Sequence, residues 1–295
     1  MTISKQAGET VPGRTAFLFV IFALVFQCAT TAVRAEPALP ASGRLLIAGP
    51  GQAISILYPL ISALSADNPA LQFSLATELE EAAWAKLNDK LSDMIIVSKR
   101  QERNDCVIRR LGSIAAVLAV SEKNPVSNIS GEQFRNILGG SISSWKQLGA
   151  GYASPIKLAL LANDKCRLAI LHSLLPRDLT KLPATTILSS PGFLLPLLQE
   201  DAAVLAIMPT TILKSTEIKI LSIDGVYPGT ESIVRGEYKL TQDLYLVYPE
   251  SAADGTKNFA DWLCESDLAT TALAAQGLMR TKDIPEDPLK KVDKK

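Results

Sequence analysis

From residue 44 onwards, apolar runs of strand length alternate with stretches of helical periodicity, and that order admits few folds. Residues 44–48 form the first run, which Gly49-Pro50-Gly51 interrupts. Ile54, Leu57, Leu60, Ile61 and Leu64 then recur at helical spacing. A second strand is expected over 71–76, a second helix over 78–91 and a third strand over 93–98. The β-α-β-α-β order predicts an α/β fold with a mainly parallel, doubly wound sheet flanked by helices. The apolar run over 113–121 is long enough to cross between two lobes. A second set follows, with a helix over 131–138 capped by Ser130. Strands over 155–161, 185–188 and 204–209 alternate with helices over 167–175 and 191–199. Strands over 218–223 and 238–248, separated by a turn at Asp224-Gly225, precede helices over 255–263 and 267–277. Lys290, Lys291, Lys294 and Lys295 read as a solvated end.

The first 35 residues read as an address rather than as part of this fold. Lys5 and Arg14 precede an unbroken apolar run over 16–26, and small residues lead to Ala32-Val33-Arg34-Ala35. A charged start, a short apolar centre and a small-residue exit describe a secretory signal peptide cleaved near Ala35. The run is about half of the roughly 20 residues that a spanning helix needs. A retained anchor is the alternative. Gln27 before Cys28 is too large and polar for a lipid-attachment site. Cleavage would release a periplasmic protein with a small acidic excess, because it removes Lys5, Arg14 and Arg34 but only Glu9.

Charge and composition exclude several functions. Thirty basic residues balance 30 acidic ones, so no basic excess is available to neutralise nucleic-acid phosphates. With 47% hydrophobic residues the chain is too apolar for disorder. One His defeats any metal or triad scheme that needs two, and it lies at 172 in an apolar helical run. No G-x-S-x-G elbow, HExxH helix or Walker lysine is present. Asp254 and Asp261 sit where a helix start accounts for carboxylates. No enzyme, no cofactor and no metal is expected. After cleavage Cys106, Cys166 and Cys264 remain, allowing at most one disulfide, whose pairing stays open. Buried apolar thiols are the simpler reading.

In an open parallel sheet, ligands bind beyond the carboxyl ends of the strands, where helix N-termini direct N–H groups outward. Residues 49–55, 76–80 and 93–100 meet that condition, and 162–167 would face them across a cleft. Gly49-Pro50-Gly51 reads equally as an ordinary strand-to-helix turn.

Residues 115–149, AAVLAVSEKNPVSNISGEQFRNILGGSISSWKQLG, resemble the phosphate-binding branch of periplasmic solute receptors. Asn124-Pro125, Phe134, Ile137, Gly140, Trp145 and Gly149 fall into step with that family's crossover strand, turn, helix and Trp…Leu-Gly closure. Two further stretches agree: SDMIIVSKR at 92–100, and IDGVYP at 223–228 with GEYKLTQDLYL at 236–246. The resemblance implies a two-lobed periplasmic-binding-protein type II fold joined by two crossover strands. Lobe 1 would hold residues 36–119 with 241–295, and lobe 2 residues 120–240. It implies a monomeric, exported solute-binding protein that serves an ABC permease or another envelope protein. Its ligand would be a small molecule or oxyanion in the interlobe cleft.

Departures from the family lie where that ligand would be held. The first turn is Gly49-Pro50-Gly51-Gln52-Ala53 instead of a hydroxyl-bearing one, and residues 76–81 read ATELEE instead of a Gly-Ser-rich turn. The Arg and Ser-Gly-Thr of the second lobe are absent from LANDKCR at 161–167. Asp93 matches the carboxylate that accepts a phosphate proton in the family. Candidate ligand-binding residues are Gly51, Gln52, Thr77, Asp93, Lys165 and Arg167. Glu78, Glu80 and Glu81 add repulsion wherever they face the cleft. Binding by a mode other than the usual phosphate one is expected; a diverged partner-binding or sensory module is the alternative.

Overall fold

The computed structural model describes residues 37–161, 185–188, 191–210 and 218–283 of the 295. The described residues all belong to one compact unit within Glu36–Lys295. The expected leader, the helix expected over 167–175, Lys165, Cys166, Arg167, His172 and the Lys-rich end lie outside the described residues.

The strands are β1 (Gly43–Gly49), β2 (Leu71–Thr77), β3 (Met94–Val97), β4 (Cys106–Ser121), β5 (Asn128–Ile129) and β6 (Lys157–Leu161). They continue as β7 (Thr185–Leu188), β8 (Val204–Pro209), β9 (Ile218–Ile220), β10 (Ser222–Ile223) and β11 (Thr241–Pro249). The helices are α1 (Gly51–Asp67), α2 (Glu80–Asn88), α3 (Gly131–Leu138), α4 (Leu194–Glu200), α5 (Thr230–Val234), α6 (Asp254–Glu265) and α7 (Asp267–Ala275). In the main sheet the order is β2-β1-β3-β11-β4-β8-β6-β7, and β9 also pairs with β4. The β2-β1-β3 and β8-β6-β7 sets are parallel, as the alternation predicts, while β11 and β4 run antiparallel to their neighbours.

One strand joins the two lobes. Residues 106–115 of β4 pair with β11, and from Ala116 onwards β4 pairs with β8 and β9. It is longer than the expected 113–121 because it also takes in Arg109 and Arg110, charges that hide a strand from a hydropathy reading. Ion pairs with Asp261 and Glu265 hold Arg109, and Arg110 pairs with Asp243 at 2.8 Å. At Gly112 a side chain would press on the Met279 carbonyl, 2.8 Å from an added Cβ. Here the Met279 backbone pairs with Ser113 at 2.7 Å in both directions.

Each lobe buries both faces of its sheet, so its central strands are apolar without alternation. On β3, Met94 and Ile96 join the core under α1, α6 and α7, while Ile95 and Val97 join that under α2. On β8, Leu205 and Ile207 pack with Phe134 and Trp145, while Val204, Ala206 and Met208 pack with Leu194 and Leu198 of α4. The α3 start follows the expectation. Ser130 accepts from the Gln133 N–H at 2.9 Å, and the Gln133 side chain accepts from the Ser130 N–H at 2.7 Å. Such a box is worth about 1 kcal/mol. The expected helix over 78–91 shortens to Glu80–Asn88. Glu78 stays extended, its N–H donating to the Gly49 carbonyl at 2.8 Å.

Cys106 and Cys264 are free thiols. Burial pushes both thiols upward, away from the thiolate form.

Candidate functional site

The carboxyl ends of β1, β2 and β3 open on one cavity of about 590 Å³. Gly49 allows β1 to end there, because a Cβ would stand 2.8 Å from the Ile96 carbonyl of the adjacent strand. Pro50 follows as the N-cap of α1 and offers no side-chain cap. The first-turn N–H groups of a helix have no partner inside it, and the first turn of α1 carries no acidic residue. Pro50, Gly51 and Gln52 line the cavity on this side.

Gln52 is only 6% exposed, and its Nε2 donates to Oε1 of Gln242 on β11 at 3.1 Å. This bond ties the start of α1 to β11. Next to Gln242, Asp243 accepts from Ser113 Oγ at 2.6 Å and from Arg110 at 2.8 Å. Burial pushes the Asp243 carboxyl upward, but the bonds from Arg110 and Ser113 outweigh burial and hold it below its ordinary value.

The opposite wall is acidic. Thr77 ends β2, Glu78, Leu79 and Glu80 follow it, and Ser98 follows β3. Glu78 pairs with Lys86 one helix turn and more away along α2. Glu80 turns across to β3, where its Oε2 accepts from the Ser98 N–H at 3.0 Å and from Ser98 Oγ at 2.6 Å. Leu79 is 78% exposed at the rim. Among the described lining residues there is no Lys, Arg or His.

Of the residues expected from sequence, Gly51, Gln52 and Thr77 line this cavity together. Lys165 and Arg167 lie outside the described residues. Asp93 stands apart, and the ligand role expected of it gives way to a structural one. It precedes β3 at the strand's amino end, about 16 Å of extended chain from Ser98. Its Oδ2 accepts from the Leu46 N–H at 2.8 Å while its own N–H donates to the Leu46 carbonyl at 2.9 Å. Both bonds clasp β3 to β1. Asp93→Ala is therefore expected to cost about 1–3 kcal/mol of stability and to leave affinity for any cavity ligand unchanged. Urea unfolding beside a binding titration checks both halves of that statement.

Of Glu78, Glu80 and Glu81, expected to repel an anion wherever they face the cleft, Glu78 and Glu80 line this cavity and Glu81 does not. Gln242 and Ser98 were not singled out. Ser98 ends a strand that points at the site, a signal available from the strand-end rule alone. Gln242 sits in the polar start of β11, Thr241-Gln242-Asp243 ahead of LYLV, where nothing in the pattern marks which residue faces the cavity. Among the described residues, no group of three or more His, Cys, Asp or Glu is placed to hold a metal, and no helix is long and apolar enough to cross a membrane.

A family model described as a PBP superfamily domain matches residues 34–267. The phosphate-binding protein PstS of Bacillus subtilis (strain 168) is 23% identical over 257 residues, 83% of this chain and 83% of that protein. An ABC-type phosphate transport receptor from Vibrio cholerae superposes with a TM-score of 0.66 at 19% identity, over 80% of this chain and 99% of that one. A possible phosphate binding protein from Planctomyces limnophilus DSM 3776 gives 0.68 at 14% identity, over 82% and 94%. At these identities the solved structures establish the two-lobed architecture. With the family model spanning most of the length and the site at the strand ends that this architecture uses, the chain belongs to the periplasmic-binding-protein (PBP) superfamily.

Proposed function

We propose that this protein is an exported solute receptor for an ABC-type importer, closing two lobes on a small ligand that it holds otherwise than phosphate receptors hold theirs. The lobes would divide within β4, at 115–116 rather than at the expected 119, and again near 240, with 241–295 beside the first lobe. Kinship to proteins named for phosphate binding and transport supports the receptor part. The charged start, short apolar run and small-residue exit of residues 1–35 support release of the mature protein into the periplasm.

One observation carries the departure from phosphate: Glu78 and Glu80 line the cavity into which the start of α1 opens. A helix N-terminus favours an anion by about 0.3–1 kcal/mol, and by about 2 kcal/mol in the best geometries. Two like unit charges 4 Å apart repel by about 4 kcal/mol at an effective dielectric constant of 20. Lys86 offsets Glu78, which leaves Glu80 as the dominant repulsion. For a phosphate dianion the repulsion exceeds the attraction from the helix.

The test is the melting temperature of the purified exported protein with phosphate, sulfate and a panel of small polar metabolites. A ligand at a hundredfold excess over Kd adds about 2.7 kcal/mol, a rise of roughly 5–10 °C for a chain of this size. A metabolite is expected to give that rise and phosphate none. Micromolar phosphate binding would refute the departure, and no rise with any compound would favour a partner-binding or sensory module on the same fold.

A further inference from the structure

Oxyanion binding at the carboxyl end of a parallel strand needs open donors there, N–H groups above all and hydroxyls beside them. Ser98 provides one of each at the end of β3, and it lines the cavity. Neither is open. A single carboxylate oxygen, Glu80 Oε2, accepts from both, with the hydroxyl bond short at 2.6 Å and the N–H bond at 3.0 Å. The contact spans 18 residues and joins the first residue of α2 to the residue after β3. Glu80 thus presents to Ser98 the same chemistry as an oxyanion in the cavity would: a planar or tetrahedral centre with a negatively charged oxygen.

The backbone before α2 makes this possible. Leu79, extended at φ −67° and ψ 154°, ends the β2 connection, so that the helix begins at Glu80. Glu81, next along, lies outside the lining. Glu78, two residues earlier, is drawn to Lys86 on the same helix. Of the three glutamates in this turn, only Glu80 reaches the β3 donors among the described contacts.

We infer that Glu80 is a specificity-determining residue, an internal carboxylate that occupies the Ser98 donors and closes the cavity to inorganic oxyanions. The inference rests on the receptor reading above and adds the residue responsible for its selectivity. It assigns Glu80 two effects, occupation of donors and repulsion, which two substitutions separate. Glu80→Ala removes both. Glu80→Gln keeps an acceptor for Ser98 and removes only the charge.

Phosphate and sulfate titrations followed by calorimetry test it on the exported protein. Because hydrogen bonds to a charged group are strong, Glu80→Ala is expected to bind phosphate about 10- to 100-fold more tightly than the unsubstituted protein. Glu80→Gln should gain a smaller factor. Adding Ser98→Ala to Glu80→Ala should remove the part of the gain that depends on the hydroxyl. A folded Glu80→Ala protein with unchanged phosphate affinity overturns the inference, as does a gain that Ser98→Ala leaves untouched. Should Glu80→Ala fail to fold, Glu80→Gln decides, and no gain there overturns it. The receptor reading is judged separately, by the metabolite panel on the unsubstituted protein: an anion gain in Glu80→Ala without any natural ligand would leave this inference standing and that reading refuted.

Discussion

Replacing Trp145 with alanine is expected to destabilise the protein by about 3–5 kcal/mol, the range for removing a fully buried aromatic side chain. Trp145 is wholly buried and opens a short 3-10 helix, Trp145–Leu148, in the second lobe. Its ring lies in the core formed with Phe134, Ile137, Leu138, Leu205 and Ile207. The indole N–H donates to the Ala203 carbonyl at 2.8 Å, a buried bond whose loss deprives that carbonyl of its indole donor. The backbone is fixed independently of the ring. Ser144 accepts from the Lys146 N–H, Gln147 reaches back to the Ser144 N–H at 3.0 Å, and Gly149 turns the chain away at φ 87°. The turn therefore cannot collapse into the space left behind, which places the cost toward the upper part of the range. Trp145→Phe separates the two contributions by keeping most of the apolar volume and removing the N–H. Equilibrium unfolding in urea measures both, and a loss below about 1 kcal/mol for Trp145→Ala would contradict the burial argument.

The same stretch shows what the sequence makes legible. Trp145 and Gly149 were recognisable through the likeness to the family's Trp…Leu-Gly closure, and the structure supplies the physical reason: Trp145 is fully buried and Gly149 turns the chain at φ 87°. The runs DMIIVS and VLAIMP announced β3 and β8 because strands covered on both faces have no polar face to disguise them. The first part of β4 was hidden by Arg109 and Arg110, whose partners lie at 243, 261 and 265 and so are invisible to any local window. At the site, Gly51, Gln52 and Thr77 were legible from the strand-end rule, which needs only the order of strands and helices. Asp93 was chosen by motif likeness, although its position ahead of its strand puts it at the far end from the ligand face; Ser98, behind the same strand, satisfies the rule. The partnership of Glu80 with Ser98 was beyond reach, since it depends on where α2 begins, and the apolar periodicity places that start two residues too early.

Phe259→Ala is expected to cost a similar amount, about 3–5 kcal/mol, in the other lobe. Phe259 is fully buried on α6, with its ring centroid 5.1 Å from that of Phe73 and 6.1 Å from that of Trp262. The tilted Phe73 contact links α6 to β2, so alanine removes an aromatic pair as well as apolar area. Phe259 and Trp145 belong to different cores and share no described partner. Their effects should then add to within about 0.3–0.5 kcal/mol. The two alanines together would consume most of a typical stability of about 5–15 kcal/mol, so the cycle is better run with Phe259→Leu and Trp145→Phe. Additivity alone does not say whether the lobes unfold together. That is decided by β4, which is buried without interruption from Leu111 to Ser121 and pairs with lobe 1 on one side of Ala115 and lobe 2 on the other. Unfolding either lobe would strip half of this strand while the other half remained in place, exposing buried backbone. One cooperative transition is therefore expected for all four proteins of the cycle, with the denaturant slope unchanged, because the slope follows the surface exposed. Two transitions, or a slope that falls in only one of the single variants, would show lobes that unfold separately and a β4 that acts as a tether.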